Sequence, residues 1–238
     1  MMRITPRQDP PLKLREWSTV SIQLDAPPAG SSLAEQAYRT IRDRLIMLDI
    51  APGEPINEAR LAEELRLGRT PVREALKRLE TDHLVASFPR RGTFATTVDI
   101  TELAAISEVR QLLEPLATRK AALNTNESTR AELREVAEGL DTLDGTRARR
   151  ELMEYDLEVH RTIYRAAGNH HLQESLIRLD NLATRIWCMV LDRLPAVEEH
   201  ILEHRRLIQA ILNGDADRAA QLAADHVSHF ESMVRAAL

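Results

Sequence analysis

The chain has 238 residues, 43% hydrophobic and 29% charged. At roughly 150 residues per domain this favours two domains, each able to bury a core. No run approaches the roughly 18 apolar residues of a membrane span, and residues 1–30 lack the apolar stretch of a signal peptide. One cysteine, Cys188, excludes an intramolecular disulfide framework and a cysteine-rich zinc module, so a soluble cytoplasmic protein is expected. Only 3% of the residues are aromatic, which argues against a β-sandwich and for helices. The net charge of −5 hides an asymmetry: residues 31–98 carry +1, with +3 concentrated in 60–91, while residues 99–238 carry −7. Seven of the eight histidines fall after residue 159. A basic front and an acidic, histidine-bearing back are expected to do different work.

Residues 1–30 hold Pro6, Pro10, Pro11, Pro27 and Pro28 without periodicity, the pattern of a flexible leader. A first helix is expected from about Ser32 to Leu48, with Ala34, Ala37, Tyr38, Ile41, Leu45 and Leu48 on one stripe, ending at Ala51-Pro52-Gly53. A short second helix starts near Asn57 as cap. After a turn around Gly68 comes a third, with Thr70 as the expected cap, Pro71 as first helical residue and Val72, Ala75, Leu76 and Leu79 on one face. Leu84–Phe88 and Thr93–Thr96 flank Pro89-Arg90-Arg91-Gly92 as a small hairpin. These elements form the expected 31–98 domain. The remainder, 101–238, reads as helices near 101–123, 127–143, 147–167, 170–191, 196–213 and 215–236, broken at Asn124-Thr125-Asn126, Gly145, Gly168-Asn169, Pro195 and Gly214. Short links make neighbours antiparallel, so the fold class is mainly α: a winged helix-turn-helix followed by an antiparallel six-helix bundle.

In the front part, two helices joined by a short glycine-containing turn are the helix-turn-helix unit, whose second helix enters the major groove. Arg69, Arg73 and Lys77, four apart, form a basic row beside the apolar face. Such arginines can read guanine edges or hold phosphates, and the Arg90-Arg91-Gly92 tip would be a wing. The stretch PGEPINEARLAEELRLGRTPVREALKRLETDHLVASFPRRGTFA (Pro52 to Ala95) closely resembles the winged helix-turn-helix of GntR-type transcription regulators, most specifically in Arg69–Leu76. The resemblance implies operator contacts from Arg60, Arg69, Thr70, Arg73 and Gly92. Charge and position add Lys77 and Arg91.

In the back part, polar residues interrupt apolar stripes. Asp156 and His160 share the face of Leu152, Val159 and Ile163; His204 lies among Val197, Ile201, Ile208 and Ile211; His226 lies among Ala219, Leu222, Ala223 and Phe230. Three helices thus aim one carboxylate and three imidazoles at one core. An unpaired buried carboxylate is costly, so this donor set suits a divalent transition metal, zinc or nickel, with open positions for a ligand. His200 and His229 fall at the rims of their stripes, as residues that support the ligands from behind. His170 and His171 read as surface or capping residues, and His83 as structural.

The stretches EVRQLLEPLATRKAA, DLEVHRTIYRAAGNHHL, EHRRLIQAILNGD and AADHV (from Glu108, Asp156, Glu203 and Ala223) resemble the effector-binding FCD domain of the FadR-type branch, and six helices rather than seven are more similar to its VanR-like members. The resemblance implies metal ligands at Asp156, His160, His204 and His226, the set the periodicity selects. It implies also a small carboxylate effector held by the metal and an arginine. Arg110 is the candidate, its bland alternative being a surface pair with Glu114 at i+4. The expectation is a homodimeric, metal-binding repressor of double-stranded operator DNA, not an enzyme. Two rivals stand beside it: a DNA-binding protein with a purely structural metal, and a zinc hydrolase using His200-x-x-Glu203-His204, a match to the H-x-x-E-H pattern.

Overall fold

The computed structural model describes residues 31–124, 126–143, 148–194 and 197–238; the expected leader and the expected breaks at Thr125, Gly145 and Pro195 lie outside the described residues. Helix α1 (Leu33–Ile46) starts where the Ser32 hydroxyl accepts from the Glu35 amide at 3.1 Å, and it buries Ala37, Ile41, Leu45 and Ile46. Helix α2 (Glu58–Glu64) is capped by Asn57, whose side chain accepts from the amides of Ala59 and Arg60. Helix α3 (Arg69–Thr81) packs Val72, Ala75, Leu76 and Leu79 against α1. Burying each larger apolar side chain of that face stabilises by about 1.5–3 kcal/mol, which is what pins α3 in place.

Thr70 is not the cap of α3. The helix starts at Arg69 with Gly68 in extended conformation as N-cap and no side chain capping it, which makes Pro71 its third residue. Proline tolerates that place because the amides of a helix's first turn lack intrahelical partners anyway. Strands β1 (Pro55–Ile56), β2 (Val85–Phe88) and β3 (Gly92–Ala95) form an antiparallel sheet ordered β1-β3-β2, with Pro55 opposite Phe94 and Phe88 opposite Gly92. The expected hairpin therefore carries a third strand. Two residues beside the Pro52-Gly53 turn are too few to show alternation, and Pro55 is tolerated because β1 lies at the edge.

A 3-10 turn (Ile100–Glu102) leads into six helices: α4 (Leu103–Leu123), α5 (Glu127–Asp141), α6 (Arg149–Ala166), α7 (His170–Val190), α8 (Val197–Leu212) and α9 (Ala216–Ala236). The most extensive packing is between α4 and α9, and α4 also touches α6, α7 and α8. Helix α6 buries twelve of its eighteen residues. Where α5 crosses it, Gly139 makes room for Tyr155, whose hydroxyl donates to the Val136 carbonyl at 2.6 Å; any side chain at 139 would collide with that ring. Helix α7 is the bridge to the front. Its Arg185 donates to the Thr96 hydroxyl and carbonyl, both at 2.7 Å, while Arg150 of α6 pairs with Asp49. No helix among the described residues is long and apolar enough to cross a membrane.

Candidate DNA-reading face and buried metal centre

On α3, packing one face against α1 leaves the other in solvent. Arg69, Thr70, Arg73 and Lys77 are all exposed there, as are Arg60 on α2 and Arg91 and Gly92 at the hairpin tip. Two of the arginines are held by acids: Arg73 Nε donates to Glu58 at 2.6 Å and Arg60 Nε to Glu64 at 2.7 Å. Glu58 thereby links the start of α2 to α3 and aims the Arg73 guanidinium. At the tip, Arg90 and Gly92 have φ of 63° and 95°, and a Cβ on Gly92 would meet nothing within 4 Å. Glycine at 92 is thus explained by the left-handed backbone of the turn. His83 also sits in that region (φ 61°), ending α3, and its carbonyl accepts from Thr96.

In the bundle, Asp156, His160, His204 and His226 are each at least 96% buried, and each offers a ligand atom within 4.8 Å of the others'. Their ring protons are assigned by their hydrogen-bond neighbours. His204 Nδ1 must donate to the Ile201 carbonyl (3.0 Å), and His226 Nδ1 to the Glu203 carboxylate (2.9 Å). Tyr164 donates to Glu114 (3.0 Å), so its oxygen accepts from His160 Nδ1 (3.1 Å). Each imidazole is then left with a bare lone pair on Nε2, and those of His160 and His204 lie 3.3 Å apart. Burial pushes all three imidazoles well below their ordinary pKa, so protonation does not relieve the clash. Asp156 Oδ1, also buried, has no hydrogen-bond partner among the described residues. Converging lone pairs and an orphan carboxylate oxygen are the arrangement a divalent cation satisfies, with the Nδ1 partners orienting the ligands. The residues fit a metal.

The surrounding charge agrees. Arg110 is buried, as the surface-pair alternative did not expect: its Nε donates to Glu114 at 2.6 Å, and it lies 3.3 Å from Asp180. Against the penalty of burial, Glu114 keeps its guanidinium charged. Burial raises the carboxyl of Asp156 well above its usual range and that of Asp180 to about 6. One guanidinium therefore acts on three carboxylates here, and the charge of Arg161 also favours the ionised form of Asp180. Arg110 and the three ligands Asp156, His160 and His226 line one small cavity of about 10 Å³, closed by Trp187 and Phe230. A larger cleft of about 300 Å³ opens between α8 and α9 and reaches His226 from outside, past Arg206 and Arg218.

His200 is not a rim residue. It is 1% exposed and stacks on His226, centroids 4.0 Å apart and planes at 13°. Glu203 is engaged by the Nδ1 atoms of His226 and His229, behind the ligand atoms, and the rings of His200 and His204 lie 6.5 Å apart. The H-x-x-E-H match therefore does not assemble a metal with a carboxylate base beside it. Periodicity missed Glu114, Tyr164 and Asp180. Asp180 had the same signal as the ligands, since it interrupts the stripe Leu172, Leu176, Ala183, Trp187, Val190 on α7. His170 and His171 are on the surface, as expected.

Comparison with known proteins places both halves. Residues 33–95 match the family model "Bacterial regulatory proteins, gntR family", and residues 105–229 match the FCD domain. The HTH-type transcriptional repressor RspR of Escherichia coli (strain K12) is 23% identical over 201 residues, covering 84% of this chain and 88% of its own. The repressor GlaR of the same strain is 27% identical over 198 residues, covering 80% and 90%. Among solved structures, E. coli McbR/YncC superposes with a TM-score of 0.71 at 23% identity, over 87% of this chain and 98% of that one, a likeness of fold. With an exposed basic helix in the part that matches the first model and the FCD match behind it, the chain belongs to the GntR family of DNA-binding transcription regulators, in its FadR-type branch with a C-terminal FCD domain.

Proposed function

We propose that this regulator is a homodimeric, metal-dependent sensor of a small carboxylate, and that the ligand controls its grip on operator DNA. The observation that carries the reading is the set of three imidazoles whose Nδ1 protons are all committed to acceptors, leaving Nε2 lone pairs converging beside the orphan Oδ1 of Asp156. Asp156, His160, His204 and His226 would hold the ion, zinc or nickel by donor type. Bound there, the metal supplies a Lewis-acidic site for a carboxylate oxygen. Arg110, lining the same cavity, favours an anion beside it. The cleft at His226, flanked by Arg206 and Arg218, offers the approach.

For the DNA side, Arg69 and Arg73 would read the major groove, with Lys77, Thr70 and the uncapped first amides of α3 towards phosphate. Arg60 would contact the backbone, and Arg91 with Gly92 the flank. Two half-sites call for two copies. Supporting that, Val109, Leu112, Leu116 and Leu123 make an exposed apolar row on α4, Leu112 being 72% exposed. The row is the contact proposed between protomers, and Leu112→Asp should yield a monomer in sedimentation velocity. A dimer unchanged by that substitution would move the contact elsewhere.

Helix α7 supports the coupling. Asp180, Thr184 and Trp187 line the metal cavity, while Arg185 of the same helix is bonded to Thr96 at the end of the wing. A ligand that favours one setting of α7 shifts the population of winged-domain positions. The test is elemental analysis of wild type and His204→Ala, followed by a thermal-shift screen of small carboxylates. The variant should lose the metal yet still bind operator, and one acid should stabilise wild type alone. Full metal content in the variant would remove the site. The second reading, a purely structural metal, is favoured by the 10 Å³ cavity, room for about one water. It wins if no acid shifts metal-replete protein.

A further inference from the structure

We infer that the chain carries a second ligand site, for a small polyanion, in the cleft between the DNA-reading part and the bundle. This cleft of about 540 Å³ is separate from the metal cavity and is walled by α1 and α3 on one side and by α6 and α7 on the other. Six guanidinium groups reach it from these four helices: Arg39, Arg42, Arg78, Arg161, Arg165 and Arg178. Its lining contains three carboxylates, Glu35, Asp82 and Glu174, and Asp43 pairs with Arg42 and Arg161 close by. Arg165 is paired with Glu132 and lies 3.9 Å from Glu158, so six acids face the six guanidinium groups, and the positive charge open to a ligand is that of Arg178. Guanidinium forks match the oxygens of phosphate and carboxylate in pairs.

Two features mark a built site. Arg78 is held flat over the Tyr38 ring, 3.9 Å from its centroid, while the Tyr38 hydroxyl donates to Asp82 at 2.7 Å, so the guanidinium is pre-oriented. Asn181 lines the cleft from α7 and is 1% exposed, yet neither its Oδ1 nor its Nδ2 has a hydrogen-bond partner among the described residues. A buried amide group is normally satisfied. Its Nδ2 gives an anion a neutral donor behind the arginines. Arg178, exposed on α7, makes no ion pair among the described residues and is available to the same ligand.

A ligand with two or more phosphate or carboxylate groups would bridge Arg39, Arg42 and Arg78 to Arg161, Arg178 and Asn181, taking the place of the present carboxylate partners. The DNA-reading part would then be tied to the bundle. The site thus provides an input independent of the metal. The neighbour of Asn181 in sequence is Asp180, which faces the metal cavity, so one turn of α7 touches both.

Isothermal calorimetry on the full chain tests this, with metal removed by chelation and dialysis so that the metal centre contributes nothing. The probes are inorganic pyrophosphate and tricarballylate, which separate a phosphate preference from a polycarboxylate one. At least one should bind, and Arg178→Glu and Asn181→Leu should each weaken it tenfold or more. Neither change threatens folding, since the first is on the surface and the second removes an unsatisfied group. Arg206→Glu, in the other cleft, should bind as wild type does. The inference is overturned if neither probe binds at millimolar concentration, if Arg178→Glu and Asn181→Leu bind like wild type, or if Arg206→Glu loses binding equally.

Discussion

Arg73 and Arg110 are the same residue put to opposite physical uses. Arg73 stands 62% exposed on α3, tied to one acid, at the face proposed to read DNA. Arg110 is 4% exposed in its side chain, locked between Glu114 and Asp180. The same contrast separates the two halves. The front keeps its working groups outside a small apolar core, so they cost the fold almost nothing. The back places carboxylates, imidazoles and a guanidinium inside its core, so its working groups are also its structural problem. Function and stability should be separable in the first and coupled in the second.

The sharpest way to break that contrast is Arg110→Ala. It strands Glu114 and Asp180 without their cation, and stranding a buried charge typically costs about 3–5 kcal/mol. Urea unfolding followed by circular dichroism measures it. A loss near zero would mean that the buried charges are not coupled to the fold.

Next in size is removal of the proposed metal. An ion present at 100 times its dissociation constant stabilises the folded chain by about 2.7 kcal/mol. Chelation should therefore lower the melting temperature by several degrees, and re-addition of zinc or nickel should restore it. A melting curve indifferent to chelator would leave the converging lone pairs without their cation.

On the other side of the comparison, Arg73→Ala should weaken operator binding by about 1–3 kcal/mol and relax preference at one base pair. Its unfolding free energy should stay within about 0.5 kcal/mol of wild type. Fluorescence anisotropy with the operator and single-base variants reads the first, and denaturant titration the second. Equal affinity would remove Arg73 from the reading face, and a large stability loss would erase the contrast with Arg110. The smallest effect belongs to Lys77→Ala. Acting on phosphate, it should weaken binding similarly on all sequences and reduce the slope of log affinity against log salt by about one. An unchanged slope places Lys77 off the backbone.

The sequence by itself determined most of the elements and which polar residues gather in the bundle core, because both are written as local periodicities. Helix faces repeat every 3.6 residues, so a polar residue inside an apolar stripe is visible without knowing what it faces. Asp156, His160, His204 and His226 were found that way, as was the exposed row Arg69, Arg73, Lys77 opposite Val72 and Leu76. Asn57 declared its capping role by type and place, whereas the start of α3 misled, since Thr70 has the chemistry of a cap but Gly68 the backbone. What only the tertiary structure decided are relations between distant segments. That Glu203 serves His226 across 23 residues, that Tyr164 and Glu114 fix the proton of His160, and that His200 stacks inside are such relations. So is the two-residue strand β1, which exists only because β3 pairs with it. The interdomain cleft is the extreme case: six arginines from four helices look like scattered surface charge until the chain brings them to one place. Periodicity reports which way a side chain faces, while its partner across the core is set by packing that no single stretch contains.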